Sequence, residues 1–133
     1  MKYTELQADI FSVFDSAAWK AENINTYPSN FVGMNTTNEF IRVTIIPSGQ
    51  GINLPSISGL ILIDIFSSAG DGPQRPYAIA DVLDSYLVGK TFKTGLGSTQ
   101  LTSSSLDERG RDPDNDILYR TIYSIPFNFY GVF

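Results

Sequence analysis

The stretch from Gly59 to Leu87 constrains the fold most, because it sets a strand, a glycine-rich corner and a helix in immediate succession. Residues 59–66 are apolar except for Asp64, which predicts a strand with both faces covered. Two glycines and a proline then interrupt the chain before Pro76, which falls in the first helical turn, where its missing N–H does no harm. An apolar stripe predicts the helix itself and consists of Ile79, Val82, Leu83, Tyr86 and Leu87.

Asp64 is the polar exception in the predicted strand. An ionised carboxylate among apolar residues is costly unless it is paired or hydrated. Two explanations stay open at this point. The carboxylate pairs inside the subunit or reaches water near a sheet edge, or it makes a polar contact with a neighbouring subunit.

Alternation of residue types predicts two further strands. Residues 39–46 place Ile41, Val43 and Ile45 on a buried face, and Pro47 is expected to end this strand. Residues 116–130 alternate over an unusual length, so that one face carries Ile117, Tyr119, Thr121, Tyr123, Ile125, Phe127 and Phe129.

The ends of the chain contribute the remaining elements. Residues 4–20 have helical spacing, with Thr4 as the expected N-cap of a capping box. Short strands are expected at 24–27 and 100–106, and Pro126 should lie at an edge or bend because it cannot donate to a ladder. Trp19 is interpreted as a half-buried packing residue, with an interface anchor as the alternative.

These elements predict one α+β domain with a mixed, mostly antiparallel β-sheet flanked by two α-helices. A chain of 133 residues is close to the commonest domain size. The expected core contains Ile10, Phe14, Val43, Ile61, Ile63, Leu83 and Ile122.

Composition excludes several classes of function. The chain has no cysteine and no histidine, which removes thiol nucleophiles, Ser–His and Cys–His pairs and the usual zinc ligands. A net charge of −5 opposes binding to the phosphate backbone of nucleic acids. We therefore expect no catalytic residues, no cofactor and no metal, and neither a membrane span nor a signal peptide.

Three short motifs imitate known sites. Gly70-Asp71-Gly72 stands between a strand and a helix, but the third glycine of a dinucleotide fingerprint is replaced by Arg75. The Gly89-Lys90-Thr91 triplet follows a helix and not a strand, contrary to a phosphate-binding loop. The acids at 112, 114 and 116 have the spacing of a calcium loop without its glycine and glutamate, which leaves a weak cation site as the alternative to coincidence.

The order of parts resembles the tail terminator and tail-completion family of long-tailed bacteriophages. The resemblance rests on residues 41–49, on a strand ending in the aromatic Phe66, and on a helix with the pair Ala80-Asp81. It covers the middle third of the chain closely and the rest by element order. It implies a structural virion protein that forms a ring, usually of six subunits, on the head-proximal end of the tail.

The resemblance also implies partners. They are further copies of the chain, the tail tube protein that the ring caps, and the connector or neck protein that docks on it. The resemblance further implies that DNA passes through the lumen without specific binding and that assembly takes place in the host cytoplasm. The residues expected at subunit or partner interfaces are Phe66, Asp71, Arg75, Arg109, Arg111, Phe127, Phe129 and Phe133.

The charged segment 107–116 carries five acids and two arginines and is expected to form a turn or projecting loop. A solvated tip without a partner is the alternative to a role at an interface. Three hypotheses about function therefore remain. They are a ring-forming terminator or a related neck or head-completion protein, a protein-binding adaptor, and an enzyme acting through Asp64, Asp81 or tyrosines.

Overall fold

The computed structural model describes residues 2–28, 39–50, 55–68, 74–112 and 115–131, with the backbone alone for residues 50, 111, 112 and 115–117. Its helices are α1 (Lys2–Phe14), α2 (Ala17–Ala21) and α3 (Gln74–Leu87). Its strands are β1 (Thr26–Pro28), β2 (Phe40–Gln50), β3 (Ile57–Ser68), β4 (Thr91–Phe92), β5 (Ser98–Leu101), β6 (Ser105–Asp112) and β7 (Asn115–Tyr130).

All seven strands join one sheet in the order β1-β2-β3-β7-β5-β4, and β6 also pairs with β7. The short β1 runs parallel to β2, whereas the other pairs are antiparallel. The predicted α+β fold with a mixed, mostly antiparallel sheet is therefore confirmed.

The long strand β7 is accommodated by two partners on one side. It pairs with β3 along one edge, while β5 and β6 share the other edge. Pro126 faces the gap between β5 and β6, since its carbonyl accepts a hydrogen bond from the N–H of Thr102. The imide nitrogen points to the same side of the strand, so the proline removes no ladder bond and lies at a local edge, as predicted.

One face of the sheet forms the core together with α1 and α3. Six of the seven predicted core residues are buried there, but Ile122 is only half-buried. The prediction for Ile122 was wrong because this residue pairs with Asp64 and points to the opposite face. The alternate residues of β7 fill the core instead, namely Tyr123, Ile125, Phe127 and Phe129.

The first predicted helix is divided into α1 and α2. The side chain of Ser16 accepts a hydrogen bond from the N–H of Trp19 and caps α2. Thr4 lies inside α1 and does not cap it, contrary to the prediction. The indole of Trp19 lies against Phe14 and Tyr86 and donates to the hydroxyl of Thr26. It is a packing residue, as predicted, but it is fully buried and not half-buried.

Three strand predictions need correction. The strand from residue 39 continues past Pro47 to Gln50, because a bulge between Pro47 and Gly49 absorbs the irregularity. The strand expected at 100–106 is two strands separated by residues 102–104. The charged segment, expected to be a loop, is largely strand β6, since pairing with β7 needs only its backbone and leaves its charges at the surface.

The face opposite the core is lined by alternate residues of the central strands β2, β3 and β7, and we call it the open face. Among the described residues no helix packs on it, since all three helices contribute to the core cluster on the other side. Its side chains include Arg42, Leu60, Leu62, Asp64, Phe66, Arg120 and Ile122.

Candidate interaction surfaces

A charged cluster lies at the centre of the open face. Arg42 stands directly opposite Asp64 on the neighbouring strand, and Arg120 lies diagonally across on β7. Arg42 donates through Nε and Nη2 to Oδ2 of Asp64 at 3.2 and 3.0 Å. Arg120 donates through the same atoms to Oδ1 at 3.0 and 2.8 Å. Both carboxylate oxygens are thus paired within the subunit, which decides between the two explanations for Asp64.

The cluster carries more positive than negative charge. Its carboxylate is 7% exposed, whereas the Arg42 and Arg120 side chains are 39% and 33% exposed. Two guanidinium groups share one carboxylate, so one positive charge remains accessible from the open face. Because Arg42 is on β2 and Arg120 is on β7, the two arginines tie both strands to Asp64 on β3. With both oxygens of Asp64 engaged, the carboxylate is poorly placed to act as a general base.

Aromatic and aliphatic side chains surround the cluster. The rings of Phe40 and Phe66 stack with centroids 4.6 Å apart, and the guanidinium of Arg42 lies 5.3 Å from the Phe66 ring centre. Phe66 is thereby buried within the subunit. Leu60 and Leu62 remain half-buried, which gives the open face accessible apolar area.

A second surface is the loop of residues 93–97 between β4 and β5, which we call the Leu96 loop. The carboxylate of Asp9, in α1, is fully buried and holds this loop. It accepts hydrogen bonds from the N–H and hydroxyl of Thr94 at 2.8 and 2.7 Å and from the hydroxyl of Thr99 at 2.7 Å. The loop presents Leu96 with 71% of its surface exposed.

A third surface is a groove of about 650 Å³ between α1 and the β1–β2 edge of the sheet, which we call the α1 groove. Its lining is mixed, because Gln7, Asp15 and Thr26 contribute polar side chains beside the apolar ones. The apolar lining consists of Phe11, Phe14, Tyr27, Pro28, Val43 and Ile45.

A smaller pocket beside α3 contains a hydrogen-bonded carboxylate. Asp84 accepts from the hydroxyls of Ser104 and Tyr123 at 2.6 and 2.7 Å. Burial, and then the hydrogen bond to Asp84, raise the pKa of Tyr123 well above its ordinary value. The phenol stays protonated and acts as a donor. Within the described residues no three carboxylates come together as a metal site.

The residues predicted at interfaces do not form one site. Phe127 and Phe129 are each 1% exposed, because their strand positions point into the core, so they offer no surface to a neighbour. Arg75 pairs with Glu39 at 2.7 Å, and this hydrogen bonding raises its pKa. Arg109 pairs with Asp107 at 3.0 Å on the exposed strand β6.

Three further predictions fall outside what can be described. Asp71, with its glycine motif, and Phe133 lie outside the described residues. The backbone of Arg111 belongs to β6, but its side chain is outside the description.

Sequence reasoning missed the partners of Asp64 and the anchor of the Leu96 loop. Arg42 and Arg120 stand on the two strands beside Asp64, at positions that alternate with the core residues. This placement was a sequence signal that could have identified them as the partners of Asp64. No local pattern indicates the contact of Asp9 with Thr94, because 85 residues separate them.

The sequence matches no known family model and no curated protein. The fold, by contrast, is shared with solved structures. A chain from the virion of a native gene transfer agent particle aligns with a TM-score of 0.66 and 14% identity, over 98% of each chain. A second structure, which has no descriptive name, aligns with a TM-score of 0.69 and 14% identity over 99% of this chain and 98% of the other. At such identity the likeness establishes a common fold.

None of the helices in the described residues has the length and apolar character needed to cross a membrane.

Proposed function

We propose that the chain is a structural protein of a phage-type particle and acts as its tail terminator. In this role several copies, most simply six, close into a ring on the head-proximal end of the tail tube. The ring stops tube growth and offers a docking surface to the connector.

One observation carries this proposal: the fold corresponds along nearly its whole length to a chain of a gene transfer agent virion. The element order that resembles tail terminators in sequence gives independent support. The open face, with its half-buried Leu60 and Leu62, offers apolar area that a protein partner can cover, which supports a role in assembly. A net charge of −5 suits a ring through which DNA slides without adhering.

Light scattering tests the proposal on the intact chain at high concentration, alone and with purified tail tube protein. A multimer is expected in at least one condition, because weak interfaces close more readily on a template. A monomer in both conditions contradicts the ring. Binding to connector protein with no binding to tube protein would instead favour a neck or head-completion role.

The hairpin of β6 and β7 provides a variant for this assay. Replacing Arg109 and Arg111 by alanine should leave the monomer folded, because exposed ion pairs are worth only about 0–1 kcal/mol. We expect the double variant to melt like the original chain but to form fewer rings. Normal rings and normal particle infectivity would show that the hairpin has no partner.

A further inference from the structure

The open face carries a surplus positive charge on a chain that is acidic as a whole. Arg42 and Arg120 share the single carboxylate of Asp64, and the Nη1 group of each arginine has no acceptor among the described residues. Both arginine side chains are partly exposed, so these N–H groups are accessible to a partner. The net charge of the whole chain is −5. The open face therefore favours a partner that presents a carboxylate.

Apolar side chains surround this charge and narrow the choice of partner. Leu60, Leu62 and Ile122 are half-buried on the open face, and Ile46, which pairs with Leu60, is 37% exposed. Binding to a phosphate backbone needs several clustered cations, whereas this face offers one surplus charge within apolar area. The complementary surface is thus that of a protein on which a carboxylate lies next to an apolar side chain.

The outer side of α3 has this composition. Asp81 is exposed, and no ion pair among the described residues involves its carboxylate. Tyr77 lies one turn earlier on the same side of the helix and is 46% exposed. Arg75, the one cation of α3, is already paired with Glu39. The negative charge of Asp81 therefore stays uncompensated beside an exposed aromatic ring.

The other exposed apolar patches do not match the open face. The large apolar side chains exposed among the described residues are Tyr3, Ile46, Tyr77 and Leu96. Ile46 belongs to the open face itself. The Lys2 ammonium lies 5.2 Å from the ring centre of Tyr3, and Lys93 donates to the carbonyl of Leu96 at 2.8 Å. Both of those patches place a positive charge beside the apolar side chain, whereas Tyr77 has the unpaired Asp81 beside it.

The open face and the outer side of α3 lie on opposite sides of the sheet. Helix α3 packs Ile79 and Leu83 into the core, on the face away from Arg42 and Arg120. The helix therefore cannot reach the open face of its own subunit, but it can reach that of a second copy. A contact between two different surfaces of identical subunits is heterologous, and it generates a ring when the rotation closes.

We propose that α3 of one subunit packs with its outer side on the open face of the next subunit. In this contact the Asp81 carboxylate accepts hydrogen bonds from Arg42 and Arg120, and the Tyr77 ring covers Leu62. The inference rests on the proposed ring and names the two surfaces that close it.

Thiol cross-linking tests the contact directly, because the chain has no cysteine of its own. Thr44→Cys, beside Leu62 on the open face, is mixed with Ala78→Cys, an exposed position beside Tyr77. A short bismaleimide is added under the conditions that give multimers. The matched control replaces Ala78→Cys by Thr4→Cys, an exposed position on α1. The expected main product is the heterodimer of the first two chains, with little product in the control or in either variant alone.

Charge substitutions separate the contact from folding. Asp81→Arg should melt like the original chain, because Asp81 makes no ion pair in its own subunit, but it should lose the multimer. Asp81→Glu should keep the multimer. Leu62→Glu adds a carboxylate to the open face and should also give monomers. If that variant melts early, Ile46→Glu serves at an exposed position of the same face.

Mixing the two defective chains tests the direction of the contact. The Asp81→Arg chain keeps an intact open face, and the Leu62→Glu chain keeps an intact α3 surface. An equimolar mixture should therefore give a dimer and no larger species, since the remaining two surfaces are both defective.

Contrary results fall into distinguishable groups. Multimers that cross-link no better than the control, or that survive Asp81→Arg, would leave the ring standing but reject this contact. If the thiol of the Thr44→Cys chain is shielded from alkylation only after tail tube protein is added, without cross-linking to the Ala78→Cys chain, the open face contacts the tube instead. No multimer in any condition would reject the proposed ring together with the contact.

Discussion

At the scale of single residues, three hydrogen-bonded carboxylates organise the molecule; Asp9 and Asp64 are buried, and Asp84 is half-buried. Asp9 holds the Leu96 loop to α1, Asp64 joins three strands, and Asp84 fixes Tyr123 and Ser104 beside α3. In each case the hydrogen-bond donors come from distant parts of the chain. Such groups stabilise the fold because the loss of one partner leaves a costly buried polar group.

Replacing Asp64 by asparagine should destabilise the chain by about 2–3 kcal/mol, because it leaves two guanidinium groups side by side without a counter-charge. The estimate is below that for a fully buried pair since both arginines reach water. Urea denaturation measures the change. Glu39→Gln breaks the exposed pair with Arg75 and should cost less than about 1 kcal/mol. Equal effects of the two substitutions would show that the cluster contributes no more than a surface pair.

Tyr123 should make stability depend on alkaline pH. Its pKa is higher in the folded chain than the ordinary value of about 10 expected in the unfolded chain. Its stabilising effect is therefore complete below about pH 10 and is lost as pH rises from there towards the folded-state pKa. Tyr123→Phe should cost about 1–2 kcal/mol near neutral pH. The difference in unfolding free energy between the original chain and this variant should shrink above about pH 10.

The exposed Tyr3 supplies the control for this experiment. Tyr3→Phe should change the free energy of unfolding little, both near neutral pH and above about pH 10. A difference for Tyr123→Phe that stays constant through the alkaline range would contradict the raised pKa.

At the scale of the elements, close backbone contact determines where the strands meet. Gly59 in β3 pairs with Pro47 at the bulge of β2. A Cβ atom at Gly59 would collide with the carbonyl oxygen of Ile46 and would lie 3.0 Å from Cζ of Phe127. The glycine therefore allows β2 to continue past its proline.

Gly59→Ala should consequently lower the free energy of unfolding by about 2–3 kcal/mol, because the backbone of β2 has to move. Ser58→Ala, one residue earlier on the open face, should cost less than about 1 kcal/mol. Chemical denaturation of both variants measures this. A stable Gly59→Ala chain would show that the bulge is not tightly packed.

The elements also show how far the sequence predicts the structure. Period-two alternation predicted β2 and β7, an apolar run predicted β3, and helical spacing predicted α1 and α3, because burial leaves a local pattern in the sequence. The course of β2 past Pro47 depended on a bulge and on a glycine in another strand. Ile122 was assigned to the wrong face because β7 is apolar on both faces at that point. The Leu96 loop and its Asp9 anchor depend on contacts between distant residues, so no local pattern could indicate them.

At the scale of the whole molecule, the sheet has one face covered by helices and one open face among the described residues. Its β2 edge beyond β1 is interrupted by Pro47 and a bulge, which disfavours addition of a further strand. Contacts between subunits through side chains avoid this obstacle.

The most direct measurement is cryo-electron microscopy of the intact particle that contains this chain. We predict a single ring of six copies at the head-proximal end of the tail. Placement of the chain in the capsid shell, along the tube as a repeating subunit, or outside the particle altogether would contradict the proposed function.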